Sequence, residues 1–436
     1  MYKPVLSLLR SGKIIDKANQ YISPVLGHYT ELEIDRASGV FLYTLEGRKI
    51  LDFSSGVAVA NTGHCHPKVV QAIQDQATKL IHISSGVAYA APNSELAQKL
   101  VQQTFGAEAS VFFTQSGTEA IEASLKLARY VSKKKKIAAF THAFHGRTMG
   151  SLSVTYKAKF KKGYENWLID DVVRLTYPTC YRCPYGKKYG HCTFECISQV
   201  KETLLLEPDV GGVIIEPILG EGGYIPAPVE FIQELRRFTQ EQKIFLIFDE
   251  IQSGFGRTGT LFAMEQYDVL PDVLALAKGM ASGMPLGACV ARASIMNEWT
   301  RSAHGGTYLG NPVCCAASLA TLSVIDEERL LENAYEQGQY LKTMFRDLQL
   351  HYPIIGDVRG FGLMMGLEII DPLTGEADPA RVVDIRKRCL ERGLLLISCG
   401  EFDQVIRLIP PLTITREQVK AAMEIIADAM RESLHG

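Results

Sequence analysis

Ile244-Phe245-Leu246-Ile247-Phe248-Asp249 is an apolar run closed by a carboxylate, and its reading sets the fold. Its length and its aromatic and β-branched content suit a strand buried on both faces, as in a parallel sheet covered by helices. Ligands of such open sheets lie just beyond the carboxyl ends of the strands, which is where Asp249 stands. Taken alone, Asp249 serves equally well as a cap on the following turn.

A second run, Val273-Leu274-Ala275-Leu276-Ala277, leads into Lys278-Gly279. An ammonium at the end of a buried strand is costly unless it has a chemical job. Lysine forms Schiff bases with carbonyl cofactors, and desolvation lowers its pKa and makes the amine nucleophilic. A lysine that merely reaches out to water is the alternative. A carboxylate such as Asp249 can pair with a protonated pyridine nitrogen and keep the ring able to accept electrons. Asp249 and Lys278 are thus a candidate cofactor pair.

An anion site is expected upstream. The apolar Val111-Phe112-Phe113 is followed by Thr114-Gln115-Ser116-Gly117-Thr118-Glu119-Ala120, then by Ile121, Leu125 and Ala128 at helical spacing. Ser116 and Glu119 have the spacing of a capping box, and the Gly117 and Thr118 amides would offer donors and the positive dipole end to a phosphate. Capping boxes also open helices that bind nothing. In Phe144-His145-Gly146-Arg147 the aromatic ring could lie on a cofactor ring, with glycine permitting close approach, or it could be core.

Together these motifs resemble the subgroup III aminotransferases of fold type I, which depend on pyridoxal 5'-phosphate. The resemblance runs from about Gly27 to the C-terminal helix. Its most specific piece is Phe248-Asp249-Glu250-Ile251-Gln252-Ser253-Gly254-Phe255-Gly256-Arg257-Thr258-Gly259 with Lys278 downstream, supported by Asn61-Thr62-Gly63-His64-Cys65-His66-Pro67. It implies that Lys278 holds the cofactor aldehyde and that Asp249 pairs with the ring nitrogen. Gly117 and Thr118 would bind the phosphate, Phe144, beside His145, would stack on the ring, Ile251 would pack on its other face, and Gln252 would meet its phenolic oxygen. Thr307, in Gly305-Gly306-Thr307-Tyr308-Leu309-Gly310-Asn311-Pro312, would reach the phosphate of a neighbouring subunit, so the site would be complete in a homodimer.

Substrate residues follow from the same resemblance. Arg147 and Arg407 would bind carboxylates through bidentate forks, unless they form surface ion pairs. Glu221 would be an acidic gate that pairs with Arg407 when the substrate has no α-carboxylate. Val57 occupies a position where 4-aminobutyrate aminotransferases carry an aliphatic residue. The expected reaction moves an amino group from 4-aminobutyrate or a similar ω-amino acid to 2-oxoglutarate. An acetylornithine- or ornithine-type enzyme and an amino-acid racemase or epimerase are the alternatives.

Composition sets limits. The chain of 436 residues is 47 % hydrophobic, enough for large cores and more than one domain. Its net charge of -2 gives no electrostatic footprint for nucleic acid. The Lys133-Lys134-Lys135-Lys136 run is expected to end the helix begun near Thr118. No apolar stretch approaches the ~20 residues of a membrane span, and Met1 to Arg10 is too short a hydrophobic segment for a secretory signal. A cytoplasmic enzyme is expected.

Alternating apolar runs and helical patterns favour an α/β fold with a mostly parallel sheet. The resemblance implies a sheet of the seven-stranded type in a large cofactor domain, 63–318. Residues 1–62 and 319–436 would build a smaller α+β domain. The latter holds Val382-Val383 with Ile385 and Leu390 at helical spacing, a strand Leu394-Leu395-Leu396-Ile397, the Arg407 strand, and a final helix with Val419, Met423, Ile426 and Met430 on one face.

Ten cysteines are present, and Cys180, Cys183, Cys192 and Cys196 cluster in a Pro-, Gly- and Tyr-rich stretch. They are a candidate zinc or iron-sulfur set, with two disulfides or free thiols as alternatives. The remaining six are expected to be mostly small core residues.

Overall fold

A computed structural model describes residues 14–435; Met1 to Arg10, read above for a secretory signal, lie outside the described residues. At its centre is a seven-stranded sheet. Its strands in spatial order are Ala109–Thr114, Gly287–Arg292, Val273–Leu276, Phe245–Asp249, Val210–Ile215, Lys136–Phe140 and Val172–Leu175. Gly287–Arg292 alone runs antiparallel to its neighbours; the others are parallel. Leu246, Ile247 and Phe248 are wholly buried, as a strand covered on both faces requires.

Topology decides where chemistry can gather. The loops after Thr114, Phe140, Ile215, Asp249 and Leu276 all leave the same edge, because their strands point the same way. Helix Gly117–Ser132 lies on the sheet through Ala120, Ala123, Ser124 and Ala128, small residues that bring its axis close. It ends at Ser132, with Lys133 in the left-handed cap. The basic run therefore contributes only Lys133 to the helix end: Lys136 already belongs to the next strand and pairs with Glu207 at 2.6 Å.

Two smaller sheets flank this core. Ile34–Ser38, Phe41–Thr44 and Lys49–Asp52 form an antiparallel meander, to which Leu394–Leu395 adds in parallel. Ile355–Phe361, Met364–Ile369, Val405–Leu408 and Ile397–Cys399 form an antiparallel sheet. The apolar run from Leu394 is thus not one strand. It changes sheets at Leu396, because its first residues pair with Leu51 and Asp52 and its last, Ile397, with Arg407.

Helix Pro379–Glu391 buries Val382, Ile385 and Cys389. Val383, expected on that face, is 61 % exposed, since it lies about 100° of helical turn from Val382. Helix Arg416–His435 buries Val419, Met423, Ile426 and Met430 as their spacing foretells. Among the described residues no helix is long and apolar enough to cross a membrane.

Candidate active site

Three adjacent parallel strands deliver the floor of the site. Val210–Ile215 is followed by Glu216, Phe245–Asp249 ends on Asp249, and Val273–Leu276 leads to Lys278. Lys278 opens a short 3-10 turn at φ +46°, a conformation that turns the chain sharply away from the strand. Burial pushes its ammonium down to about 8, against the opposing pull of Asp249. A lysine held there has a substantial fraction of neutral amine near neutral pH.

Asp249 is anchored through both oxygens. Its Oδ1 accepts the Ile251 amide at 3.1 Å, and Oδ2 lies 2.7 Å from His145 Nδ1. The capping role posed above is therefore present, with His145 as a second partner of the same carboxylate. Glu216 accepts the amides of Phe144 and Gly220, both at 2.9 Å. Burial, then the nearby Asp249 charge, raises its carboxyl to about 8. Glu216 therefore fixes the backbone that carries Phe144 while adding little negative charge at neutral pH.

The capping motif forms as its sequence suggests, with one change. Ser116 Oγ accepts the Glu119 amide at 3.3 Å, but Glu119 reaches back to the amide of Gln115, not of Ser116. The Gly117 and Thr118 amides at the helix start have no acceptor among the described residues. Thr118 Oγ1 lies 2.6 Å from Ser151 Oγ and 2.8 Å from Thr148 Oγ1, which fixes its side chain. A Cβ at Gly117 would come within 2.8 Å of Ile251 Cγ2, so this glycine is what lets Ile251 approach the anion end.

The walls come from both ends of the chain. Val57 lies in a turn, Ser55 to Ala58, whose four residues all have φ between +51° and +64°. A β-branched residue there is strained. Asp52 holds the turn by accepting the Ser54 and Ser55 amides at 2.7 and 3.1 Å. Val57 packs against the cluster containing Tyr224, Met364 and Ile409.

Arg407 is buried, donates from Nε to Ser398 O at 2.8 Å, and meets Glu221 at 2.9 Å. Burial, the largest single influence, works against its charge, but Glu221 with Cys399, Tyr224 and Tyr29 together outweigh it and hold Arg407 above the ordinary guanidinium range. Gln252 accepts the Tyr224 hydroxyl at 2.7 Å. Arg147 is exposed, its guanidinium 4.7 Å from the Phe160 ring centre and 5.7 Å from that of Phe144. Among the described residues it has no carboxylate partner. Thr307 is exposed, on a stretch running beside residues 81–93 through Asn311 to Ile81 and Ser85 to Leu309 contacts.

These groups fit pyridoxal phosphate. Free amides at a helix start suit its phosphate, the anchored Asp249 carboxylate suits its ring nitrogen, and the Lys278 amine suits its aldehyde. Sequence reasoning overlooked Glu216, Tyr224 and Asp52. Glu216 carries the same signal as Asp249, a carboxylate closing the buried run Val213-Ile214-Ile215.

The clustered cysteines lie elsewhere. Cys180, Cys183, Cys192 and Cys196 line one cavity with Tyr185 and Tyr189, and all ten cysteines are free thiols. Burial pushes Cys180 up to about 11, the other three thiols adding to it. Among the described residues, no group of three or more His, Cys, Asp or Glu is placed to hold a metal ion. Of the remaining cysteines only Cys65 is exposed, while Cys289, Cys314, Cys315, Cys389 and Cys399 are buried.

Comparison with known proteins gives a consistent picture. The family model described as aminotransferase class-III matches residues 22–430. The 4-aminobutyrate aminotransferase GabT of Escherichia coli is 37 % identical, over 97 % of this chain and 98 % of its own. An alanine/serine racemase of Pyrococcus horikoshii is 36 % identical, over 98 % of this chain and 92 % of its own. Among solved structures, a thermostable (S)-enantioselective omega-transaminase from Thermomicrobium roseum superposes with a TM-score of 0.90 at 30 % identity, with 100 % of both chains covered.

Proposed function

Since this chain belongs to the class III aminotransferase family, we propose that it moves the amino group of 4-aminobutyrate or a similar ω-amino acid to 2-oxoglutarate, yielding a semialdehyde and glutamate. It is an aminotransferase, and its cofactor is pyridoxal 5'-phosphate. The observation that carries the substrate reading is the 2.9 Å pair between Glu221 and Arg407. With Arg407 so occupied, Arg147 is the free cation for the single carboxylate of an ω-amino acid. When Glu221 withdraws, Arg407 becomes available for the second carboxylate of 2-oxoglutarate.

The bound cofactor supplies an electron sink for the bond broken at the substrate carbon. Residues of this chain do the rest. Lys278 Nζ is the base for the proton on the amine-bearing carbon, and its depressed pKa leaves it able both to take and to return that proton near neutral pH. Asp249 would keep a proton on the ring nitrogen through charge, and His145 keeps Asp249 in place. Gly117 and Thr118 would hold the phosphate, Phe144 and Ile251 would enclose the ring, and Gln252 would meet its phenolic oxygen. Val57 gives the donor an apolar wall.

The functional unit in this reading is a homodimer in which Thr307 serves the partner's phosphate site. Support comes from exposed apolar side chains on the segments that flank Thr307, among them Ile81, Val87, Tyr89 and Tyr308. A smaller domain built from both chain ends is supported by the pairing of Leu394–Leu395 with Lys49–Asp52. A cytoplasmic setting accords with ten free thiols.

The test is a panel of amino donors with 2-oxoglutarate, scored by glutamate formed. Turnover of 4-aminobutyrate or 5-aminovalerate supports the reading, and turnover of α-amino acids alone removes the proposed gate. Sustained inversion of an amino acid without any oxo acid would make the protein a racemase.

A further inference from the structure

The gate carboxylate faces two cations. Glu221 Oε2 is 2.9 Å from Arg407 Nη2, while Oε1 is 3.8 Å from Lys157 Nζ. Lys157 is buried, and its ammonium donates to Gly400 O at 2.7 Å and to Asp403 Oδ1 at 3.1 Å. The Gly400 amide donates back to Glu221 O at 3.0 Å. One loop thus ties the lysine to the backbone of the gate. An ammonium has three donors, so two are engaged at hydrogen-bond distance and the third is left on the side of Glu221.

A withdrawn Glu221 needs somewhere to go. Its side chain is only 16 % exposed, and a carboxylate in that position that loses its guanidinium partner is costly unless another cation takes it. Closing 3.8 Å to a hydrogen bond requires a shift of about 1 Å. We propose that Lys157 receives the Glu221 carboxylate whenever a substrate α-carboxylate takes Arg407, and so sets the balance between the two half-reactions. This rests on the gated ω-aminotransferase reading above. Lys157 is a positioning residue in it: with an ω-amino acid bound, Glu221 stays on Arg407 and Lys157 contributes little. With glutamate or 2-oxoglutarate bound, Lys157 carries the gate.

A simple staple between Lys157 and the 400–403 loop predicts a different outcome, since losing it would loosen both half-reactions alike. Single turnovers of the holoenzyme, followed by cofactor absorbance, separate the two. In Lys157→Gln the half-saturating concentrations of glutamate and 2-oxoglutarate rise about tenfold, while that of 4-aminobutyrate moves less than about twofold. Lys157→Arg restores most of the loss. In a Glu221→Gln background the further change Lys157→Gln has less than about a twofold effect on glutamate, because a neutral gate needs no cation. Equal losses in both half-reactions, or a full effect persisting without the Glu221 charge, overturn the inference. If the wild-type protein converts no ω-amino acid, the proposed function fails instead, and the glutamate arm of the double-mutant cycle still decides the role of Lys157.

Discussion

Asp249 Oδ2 lies 2.7 Å from His145 Nδ1, with both side chains removed from water. A carboxylate can only accept, so Nδ1 carries the proton. Nε2 is buried without a partner. His145 therefore orients Asp249 and fixes its own tautomer in doing so. Replacing it by phenylalanine keeps the volume and removes the donor. The expected result is a fall in kcat of roughly 10- to 100-fold from misplacement of Asp249, with the protein still folded by circular dichroism. An unchanged kcat would show that the Ile251 amide alone suffices.

Lys278 gives a pH dependence of defined sign. Its pKa falls from 10.5 to about 8 on burial, so between those values the folded apoenzyme binds fewer protons than the unfolded chain. Stability is gained as pH rises through that window. The rate at which apoenzyme captures pyridoxal phosphate should then rise with an inflection at about 8 and level off above it. An inflection near 10.5 would mean that burial does not activate the amine. Lys278→Met apoenzyme should melt above wild type at pH 7, with the difference shrinking by pH 10.

The approach of Ile251 to Gly117 leads to a paired test. Gly117→Ala would place a methyl 2.8 Å from Ile251 Cγ2. Pyridoxal phosphate affinity, measured by dialysis or fluorescence quenching, should fall about tenfold as the anion end is displaced. Ile251→Ala in the same chain removes the clashing Cγ2 and should recover part of it. Failure of the second change to help would place the cost in the backbone of the helix start.

Much of the fold and site is legible in the sequence, for specific reasons. The strands ending at Asp249 and leading to Lys278 are continuous apolar runs, for which burial on two faces is the simplest account. The final helix spaces Val419, Met423, Ile426 and Met430 on one stripe, and all four are buried. Leu394 to Ile397 misled because an apolar run reports burial and not which neighbour each residue pairs with. Lys157 was hidden among Lys159, Lys161 and Lys162, a stretch that looks like a solvated basic surface. The left-handed turn at Val57 leaves no signal beyond Gly56, since its conformation is imposed from outside by Asp52.

That imposition is itself testable. Asp52 also meets His64 at 2.8 Å, so Asp52→Ala removes several charge-assisted hydrogen bonds from a buried position. It should cost about 2–3 kcal/mol in denaturant melts and blur donor selectivity as Val57 loses its fixed placement. Val57→Gly, which relieves the backbone strain instead, should leave stability nearly level while widening the range of donors accepted. A large loss of stability in Val57→Gly would show that packing, not backbone conformation, dominates at that position.

The strand Lys49–Asp52 finds its outer neighbour only at Leu394–Leu395, and Arg48 beside it donates to Leu390 O across 342 positions of chain. During synthesis the amino-terminal meander leaves the ribosome with one edge open. At 5–20 residues per second it waits roughly 20 s to about a minute for its partner. Lys49 at that edge, its ammonium lying over the Phe41 ring, is the kind of charged guard that discourages pairing with a stranger in the interval. The meander thus keeps an open edge until late in synthesis, and its vulnerability is measured in time on the ribosome and not in free energy of the finished fold.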